Sequence, residues 1–246
     1  MTGIDLKNVS FSYHDDNREL NNISLHITPG DFWGIVGSNG SGKSTLINLL
    51  NGLIPQEVHG QLTGVVLIDG INTRTKPVSY FARSVGMLFQ NPDFMLFNLT
   101  VAEEIEFGLK NLRMDNRTER IDKALTQVGL SGFENRDPQS LSLGQKQKVA
   151  LACVLAADTR YIILDEPAAM LDYKSTHQLY ELLAEINRAG KTIIVVEHDT
   201  DYLLNNANKI AVLDKGRLVY SGTPRAVFSH TKKLQALGIK IPMIKK

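Results

Sequence analysis

The sequence predicts an α/β fold with a mostly parallel central sheet, an antiparallel edge and an inserted helical segment. Short apolar runs alternate with segments whose apolar residues recur at helical spacing, as in chains that build parallel sheets from strand–helix units. Two runs, Tyr161 to Leu164 and Thr192 to Val196, are almost continuously apolar, which indicates strands buried on both faces. Residues 100–157 contain no convincing strand and predict the helical insertion.

The first half of the chain predicts the edge and three further strands. Weak alternation over the first thirty residues indicates an antiparallel edge. Phe32 to Val36 is a short apolar strand that runs directly into a glycine-rich loop, and the helix after this loop ends at Gly52. Val65 to Ile68 and Val85 to Phe89 are predicted as the other two strands.

The second half predicts several helices and a hairpin. In the helical insertion, helices are expected over Val101 to Leu109, Arg117 to Val128 and Lys146 to Ala157. Apolar residues from Leu179 to Ile186 recur at helical spacing, and Gly190 closes that helix. A hairpin and a short proline-started helix follow before the C-terminus.

We expect one domain over residues 1–246. Its tail is mixed in character, so we predict that it frays. The predicted parts are an α/β core at 1–99 and 158–230, a helical subdomain at 100–157 and the tail at 231–246.

Composition excludes several classes of protein. The 27 basic and 26 acidic residues nearly cancel, so no basic field indicates a nucleic-acid partner. The single cysteine, Cys153, excludes an internal disulfide and lies among small apolar residues, which indicates a buried, unreactive thiol. No apolar run approaches the ~18 residues of a membrane span. We therefore expect a soluble chain whose membrane role, if any, depends on a partner.

The glycine-rich loop matches the phosphate-binding pattern G-x-x-x-x-G-K-S/T. Its glycines allow backbone N–H groups to wrap phosphates, and the following helix points its positive end at them. In this pattern Lys43 reaches the outer phosphates and Ser44 ligates Mg²⁺. The residues predicted to hold the nucleotide here are Gly37, Ser38, Asn39, Gly40, Ser41, Gly42, Lys43 and Ser44.

Two adjacent acids end the apolar strand that begins at Tyr161. Beside the glycine-rich loop, Asp165 would hold the shell of a Mg²⁺ ion through its carboxylate. Glu166 then lies where a general base polarises the attacking water. The alternative is that the two acids only solvate a strand end.

The pentapeptide Leu141 to Gln145 offers a second phosphate-facing helix start. Ser142 and Gln145 form an S-x-x-Q capping box, and Gly144 lies between them. The exposed N–H groups and the helix dipole suit a γ-phosphate. One chain cannot fold this helix start back onto its own loop, so we expect the nucleotide to lie between two subunits. The alternative is a simple helix cap.

Gln90 and His198 each follow a predicted strand. The carboxyl ends of strands are where ligands of open α/β sheets bind. Gln90 could bridge the Mg²⁺ or the water to the helical subdomain, and His198 could contact the γ-phosphate. A lone histidine after a strand is otherwise more often incidental.

Together these motifs resemble ATPase subunits of ABC transporters over nearly the whole chain. The resemblance implies a P-loop NTPase core of the RecA-like type with an inserted helical ABC subdomain. Within the family, the segments from Val85 to Val101, Phe11 to Tyr13 and Gly238 to Pro242 look most like energy-coupling factor ATPases of vitamin and cobalt/nickel uptake. The motifs that carry the resemblance are Gly37 to Thr45, Gln90, Leu141 to Gln145, Ile162 to Glu166, Ala169 to Asp172 and Glu197 to Asp199.

The resemblance also implies site roles. Tyr13 would stack on adenine, with an ordinary strand aromatic as the alternative, and Thr45 would contact an inner phosphate. Asp172 would communicate between the two nucleotide sites. The residues that would engage the γ-phosphate of ATP held by the partner ATPase are Ser142, Gly144 and Gln145.

The implied function is the motor subunit of a micronutrient importer at the cytoplasmic face of the membrane, using ATP and Mg²⁺. Its partners would be a second ATPase, identical or paralogous, and a transmembrane subunit whose coupling helix enters the groove beside Gln90. A substrate-binding membrane subunit would join indirectly. A soluble ABC-type ATPase is the alternative, but such proteins usually carry two cassettes or long coiled-coil insertions. A GTP switch is disfavoured, because Asn208-Lys209 precedes Ile210 rather than aspartate.

The chain departs from its family at two points. Leu143 replaces the usual glycine of the signature; leucine adopts positive φ only at a cost and adds bulk near a phosphate, so the site it completes should be weakened. Related subunits also continue past Pro242 into a domain that aids dimerisation. We therefore expect self-association to be weak without the membrane subunit.

Overall fold

A computed structural model describes residues 2–14 and 18–243, and their strands form two sheets. A four-stranded antiparallel sheet lies beside a six-stranded, mainly parallel one. The strands are β1 Ile4–Ser12, β2 Leu20–Ile27, β3 Phe32–Gly37, β4 Gln61–Ile68, β5 Ile71–Asn72, β6 Val85–Leu88, β7 Tyr161–Asp165, β8 Thr192–Val196, β9 Lys209–Asp214 and β10 Arg217–Gly222.

The helices cover the parallel sheet and include the predicted insertion. Short 3-10 turns lie between some of them. The α-helices are α1 Lys43–Leu50, α2 Leu53–Gln56, α3 Val78–Phe81, α4 Val101–Asn111, α5 Arg117–Gln127, α6 Leu143–Ala156, α7 Tyr173–Arg188, α8 Thr200–Asn206, α9 Pro224–Phe228 and α10 Thr231–Ala236.

The larger sheet has the strand order β10-β9-β3-β8-β7-β6, and only the β9–β10 hairpin in it is antiparallel among the described strands. Successive side chains of a strand point to opposite faces. On β3, Phe32 and Val36 accordingly join a core with the helical insertion, whereas Trp33 and Ile35 join a core with the antiparallel sheet and α1. Two-sided burial explains why these strands are apolar without alternation.

The predicted antiparallel edge is the smaller sheet, of order β2-β1-β4-β5. Its pairing register shifts opposite Gly64, where β1 passes from the Lys7–Val65 pair to the Ser10–Thr63 pair. Gly64 has a φ of 76°, and a Cβ there would meet backbone oxygens of β1 closely. This bulge breaks the period of two, which explains why the sequence alternates only weakly.

The helical insertion contains α4, α5 and α6, close to their predicted positions. A capping box of Thr100 and Glu103 starts α4. The predicted start of α6 at Lys146 is wrong: the helix begins at Leu143, because Ser142 is its N-cap and the capping box lies inside the first turn. The division of the chain into a core and a helical subdomain stays a prediction.

The C-terminal segment is held in place up to Met243, contrary to the expected fraying. Lys240 forms ion pairs with Asp199 at 2.9 Å and Asp201 at 2.7 Å, and the Met243 amide donates to Asp201 at 2.7 Å. The remaining three residues of the predicted tail lie outside the described residues. None of the helices described is long and apolar enough for a transmembrane segment.

Candidate active site

The glycine-rich loop joins the carboxyl end of β3 to α1. Gly42 is the N-cap of α1 with a φ of 99°, and no side chain caps the helix start. A Cβ on Gly42 would lie 2.8 Å from the Glu19 carbonyl oxygen, so a larger residue does not fit there. The loop therefore presents an uncapped, positively polarised helix start, which is a ready anion site.

Lys43 is folded back onto this loop. Its Nζ donates to the carbonyl oxygens of Gly37 at 2.9 Å and Ser38 at 3.0 Å. Burial lowers the pKa of Lys43, while the carboxylates of Glu166 and Asp165 oppose that shift. A buried ammonium with only carbonyl partners is well placed to exchange them for an anion.

The other loop residues differ in exposure. Ser44 is exposed at the start of α1, whereas the Ser41 hydroxyl is buried and has no hydrogen-bond partner in the described part of the chain. Tyr13 donates or accepts a hydrogen bond with the Thr45 hydroxyl at 3.1 Å. Tyr13 is 39% exposed, and its ring packs edge to face against Phe11. Tyr13 thus lies beside α1 and is partly accessible to solvent.

Asp165 is the last residue of β7. In the sheet, β8 lies between β7 and β3, the strand that leads into the glycine-rich loop. Burial, reinforced by the neighbouring Glu166 carboxylate, raises the pKa of Asp165 to about 6, and Lys43 and His198 act against the rise. A carboxylate that is costly to ionise alone favours a nearby cation.

Glu166 is held between Gln90 and His198. Its Oε2 accepts from the Gln90 side-chain amide at 2.8 Å, and its Oε1 lies 3.0 Å from His198 Nε2. The backbone of Glu166 has a φ of 47°, unusual for a residue other than glycine, and its amide donates to the Val196 carbonyl oxygen at 3.0 Å. Such left-handed residues often occur at functional sites.

These contacts arise from the sheet topology. Gln90, Glu166 and His198 follow β6, β7 and β8, which are adjacent and parallel, so their carboxyl ends share one edge. The structure thus brings together Gln90, Asp165, Glu166 and His198, which we call the strand-end cluster. Lys43 joins them through its charge.

The signature residues lie elsewhere, at the start of α6. Ser142 Oγ accepts from the Gln145 amide at 3.4 Å, and Gln145 Oε1 accepts from the Ser142 amide at 3.0 Å, which completes the capping box. Among residues 2–14 and 18–243, no hydrogen bond or ion pair joins this helix start to the glycine-rich loop. Ser142 is exposed to solvent.

Asp172 lies close to the signature. Its carboxylate caps α7 by accepting from the Ser175 amide at 2.7 Å, which lowers the pKa of Asp172. A Cβ on Gly144 would be 3.5 Å from the side chain of Leu171, the residue before Asp172. The two outward-facing motifs are therefore neighbours in one chain.

One argument about Leu143 is wrong. Leu143 is the first residue of α6 and is absent from the described residues with positive φ, so its backbone needs no glycine. The side chain is 41% exposed at the helix start. That the Leu143 side chain adds bulk near a phosphate stays a prediction.

Sequence reasoning missed two links around the site. Lys146, on α6, donates to Asp93 at 2.7 Å and so ties the signature helix to the turn that follows Gln90. Opposite charges 53 positions apart give no usable signal in one sequence. The burial of Glu197, next to His198, was also missed.

The Cys153 thiol behaves as expected. Cys153 packs partly buried against the main core, and burial raises its pKa strongly. A thiol with a raised pKa forms little thiolate and is a poor nucleophile.

Comparison with known proteins identifies the family. A family model described as ABC transporter matches residues 20–169, which span the glycine-rich loop, Gln90, the signature and the two acids. This match covers more than half of the chain. The chain belongs to the ABC transporter ATP-binding proteins. As a member of this family it binds and hydrolyses ATP.

The relatives of this ABC ATPase include energy-coupling factor subunits. A putative ABC transporter ATP-binding protein of Pyrococcus horikoshii is 44% identical over 98% of this chain and 87% of its own length. The energy-coupling factor protein EcfA2 of Methanospirillum hungatei is 39% identical over 98% of this chain and 60% of its own length. EcfA of Methanothermobacter thermautotrophicus is 35% identical, over 97% and 76%.

Solved structures confirm the predicted fold class. CbiO1 of Clostridium perfringens, part of the ABC transporter complex CbiONQ, matches with a TM-score of 0.82 at 30% identity, over 96% of this chain and 94% of its own. The cassette MJ0796, a dimer in a post-hydrolysis state bound to ADP and Pi, matches with a TM-score of 0.80 at 30% identity, over 90% and 99%.

Proposed function

We propose that this ABC ATPase is the motor subunit of an energy-coupling factor importer, and that Glu166 is its general base. The observation that carries the catalytic part is the position of Glu166 between Gln90 and His198 at the strand ends beside the glycine-rich loop. Two partners fix both carboxylate oxygens, so the group is oriented before substrate arrives. A base held in place in this way needs little reorganisation during proton transfer.

In this proposal, ATP phosphates bind the glycine-rich loop and the start of α1. Lys43 exchanges its contacts with the Gly37 and Ser38 carbonyls for phosphate oxygens. Tyr13, fixed by its hydrogen bond to Thr45, offers its ring to adenine. The remaining loop residues surround the phosphates through their backbone amides.

The residues present fit a Mg²⁺ ion. Its proposed ligands are hard oxygens: the Ser44 hydroxyl, the Asp165 carboxylate and the side-chain oxygen of Gln90, whose nitrogen already donates to Glu166. The raised pKa of Asp165 indicates a carboxylate that would be stabilised by a cation. When bound, Mg²⁺ neutralises charge on the phosphates.

Hydrolysis then follows from the strand-end cluster. Glu166 accepts a proton from the attacking water, and His198 contacts the γ-phosphate while it holds Glu166 Oε1. Gln90 keeps the other carboxylate oxygen in place. The signature of a second ATPase, through residues equivalent to Ser142, Gly144 and Gln145, closes over the γ-phosphate, and Asp172 links the two sites.

Glu166→Gln tests the catalytic role. The amide keeps the shape of the site but cannot accept the proton, so turnover should fall on the order of 10²–10⁴-fold while ATP binding is retained. Steady-state hydrolysis and nucleotide-binding titrations on the assembled complex measure the two effects. Glu181→Gln, at an exposed position of α7, is the matched control. Near-wild-type hydrolysis in the Glu166 variant would remove Glu166 as the base.

The membrane partner is proposed to bind beside Gln90. Between Gln90 and the end of α4, four large apolar side chains are exposed, and Phe94 and Leu99 are 83% and 81% exposed. Exposed apolar patches commonly mark protein interfaces. The other two are Phe97 and Phe107, whose rings pack edge to face.

The import of a vitamin or metal ion is supported by the energy-coupling factor relatives and by the likeness to CbiO1. In that case the chain works at the cytoplasmic face of the membrane with a second ATPase, a transmembrane coupling subunit and, indirectly, a substrate-binding membrane subunit. Purification of the tagged chain from gently solubilised native membranes tests this part. Co-purification of these three components supports the importer; recovery with ribosomes or nucleic acid would favour a soluble ABC-type ATPase.

A further inference from the structure

Glu197 is a buried glutamate for which the proposed hydrolysis has no use. It directly precedes His198, and its residue is 5% exposed. Its amide donates to the Ile35 carbonyl oxygen at 3.2 Å, which places it where β8 ends beside the strand of the glycine-rich loop. Burial raises the pKa of Glu197, as expected for a carboxylate withdrawn from water. Such a group is costly unless it accepts hydrogen bonds.

The hydrogen bonds of Glu197 go to the backbone of the active-site loops. Oε2 accepts from the His198 amide at 3.1 Å. Against the larger effect of burial, the Tyr180 hydroxyl lowers the pKa of Glu197 most, followed by the amides of His198, Asp199 and Ala168, which also face the carboxylate. Ala168 is two residues after Glu166. One carboxylate therefore contacts the chain on both sides of the Glu166–His198 pair.

Tyr180 also faces Glu197. Tyr180 of α7 and Tyr202 of α8 stack with ring centroids 4.6 Å apart. The Tyr180 hydroxyl and Glu197 Oε1 are both buried. The remaining contacts of Glu197 go to the backbone of the catalytic loops.

We propose that Glu197 is a positioning residue for ATP hydrolysis, which holds the His198 loop and the turn after Glu166 in a fixed relation. Its carboxylate accepts the His198 amide at 3.1 Å and faces the Ala168 amide. This keeps His198 Nε2 at 3.0 Å from Glu166 Oε1. The inference rests on the proposed roles of Glu166 and His198.

The test compares Glu197→Ala with Glu197→Gln in the assembled complex. Alanine removes the acceptor, so kcat should fall roughly tenfold to a hundredfold, because small displacements of catalytic groups cost that much. The KM for ATP should stay within about twofold of wild type, since in the described part of the chain no hydrogen bond joins the Glu197 carboxylate to a side chain of the glycine-rich loop. Glutamine keeps one acceptor oxygen for the amides and should restore kcat to within about threefold of wild type.

Three further variants separate positioning from simple stability. Tyr180→Phe removes the hydroxyl that faces Glu197 but none of the backbone amides, so kcat should stay within about twofold of wild type. In a His198→Ala background, the loss caused by Glu197→Ala should be smaller than in wild type, since residues in one network couple. If the alanine variant does not fold, Glu197→Asp keeps the charge but withdraws the acceptor by one methylene, and kcat should again fall with KM unchanged.

Wild-type kcat in Glu197→Ala would overturn the inference, as would equal losses for alanine and glutamine or fully multiplicative losses with His198→Ala. Unchanged turnover in Glu166→Gln or His198→Ala would instead overturn the proposed function itself. If those two variants lose turnover and Glu197→Ala does not, only the positioning role fails.

Discussion

The strand-end cluster and the signature helix start differ in how complete they are. Gln90 and His198 each lie within hydrogen-bond distance of Glu166 in one chain. Within the described part of the chain, the side chains of Ser142 and Gln145 bond to each other's backbone amides as a helix cap, and Ser142 is exposed. One region is assembled before any partner is present, and the other is only presented.

This difference follows from the way each region is built. Adjacent parallel strands place their carboxyl ends at one edge, so the cluster needs only a correct sheet. A capping box needs only four consecutive residues and fixes a helix start wherever the helix packs. Lys146 connects the signature helix to the turn after Gln90 through Asp93, at the surface of the molecule. The proposed function accordingly assigns the signature to a phosphate outside its own chain.

Lys43→Ala should break the assembled half of this comparison most strongly. Each hydrogen bond from a charged group to phosphate is worth about 1.5–3 kcal/mol, so ATP affinity should fall roughly tenfold to hundredfold. The loss should appear in the isolated chain, without any partner. Isothermal titration with a non-hydrolysable ATP analogue measures it, and Lys123→Ala on α5 is the control. Unchanged affinity would mean that Lys43 keeps its contacts to Gly37 and Ser38 when nucleotide binds.

Substitution of Leu143 should sharpen the presented half. We expect the Leu143 side chain to crowd a phosphate at a cost of about 1–2 kcal/mol. Removing it should raise the turnover of the complex about fivefold or more. Because Leu143 has ordinary helical backbone, Leu143→Ala and Leu143→Gly should act alike. Steady-state hydrolysis by both variants decides the matter. A gain with glycine alone would point to the backbone, and no change in either would refute the steric idea.

Lys240→Ala touches neither half and should have the smallest effect. Lys240 joins the C-terminal segment to Asp199 and Asp201 after the His198 loop, and exposed ion pairs contribute about 0.2–1 kcal/mol each. Urea unfolding should show a loss of this size that shrinks at high salt. Lys232→Ala on α10 should show none. A larger loss, insensitive to salt, would contradict this account of the segment.

The same contact predicts a pH dependence. Hydrogen bonds from Lys240 and the Met243 amide lower the pKa of Asp201 in the folded chain. The contribution of Asp201 to folding stability is therefore fully present above its unfolded pKa of about 4. It is lost as the pH falls through the pKa that Asp201 has in the folded chain. The stability difference between wild type and Lys240→Ala should disappear at low pH. A difference that persists there would exclude Asp201 as the partner.

Much of the fold was predictable because buried strands and helices carry recognisable apolar patterns in the sequence. β8 was predicted to the residue, since strands buried on both faces are continuously apolar. The start of α6 was missed by three residues, because an S-x-x-Q motif marks the N-cap and not the end of the first turn. The ordered C-terminal segment was missed because it depends on ion pairs about forty positions apart.

The candidate site divides in the same way. Gln90, Glu166 and His198 were predictable because each follows a strand of one parallel sheet. The burial of Glu197 was not, since Tyr180, which faces it, comes from a helix that precedes β8 in the chain. From the sequence alone, a glutamate next to a histidine is expected to be exposed to solvent, and only the packing of the helices shows that Glu197 is buried.

The central claim is that the signature of this chain acts on nucleotide held by another chain. Ser142→Arg tests it directly, measured both as ATP affinity of the isolated chain and as turnover of the assembled complex, with the exposed Ser131→Arg as control. We expect unchanged affinity in the isolated chain and a loss of turnover of at least about tenfold in the complex, since an arginine would occupy the space of the γ-phosphate. Weakened ATP binding by the isolated chain, or wild-type turnover in the complex, would contradict the account.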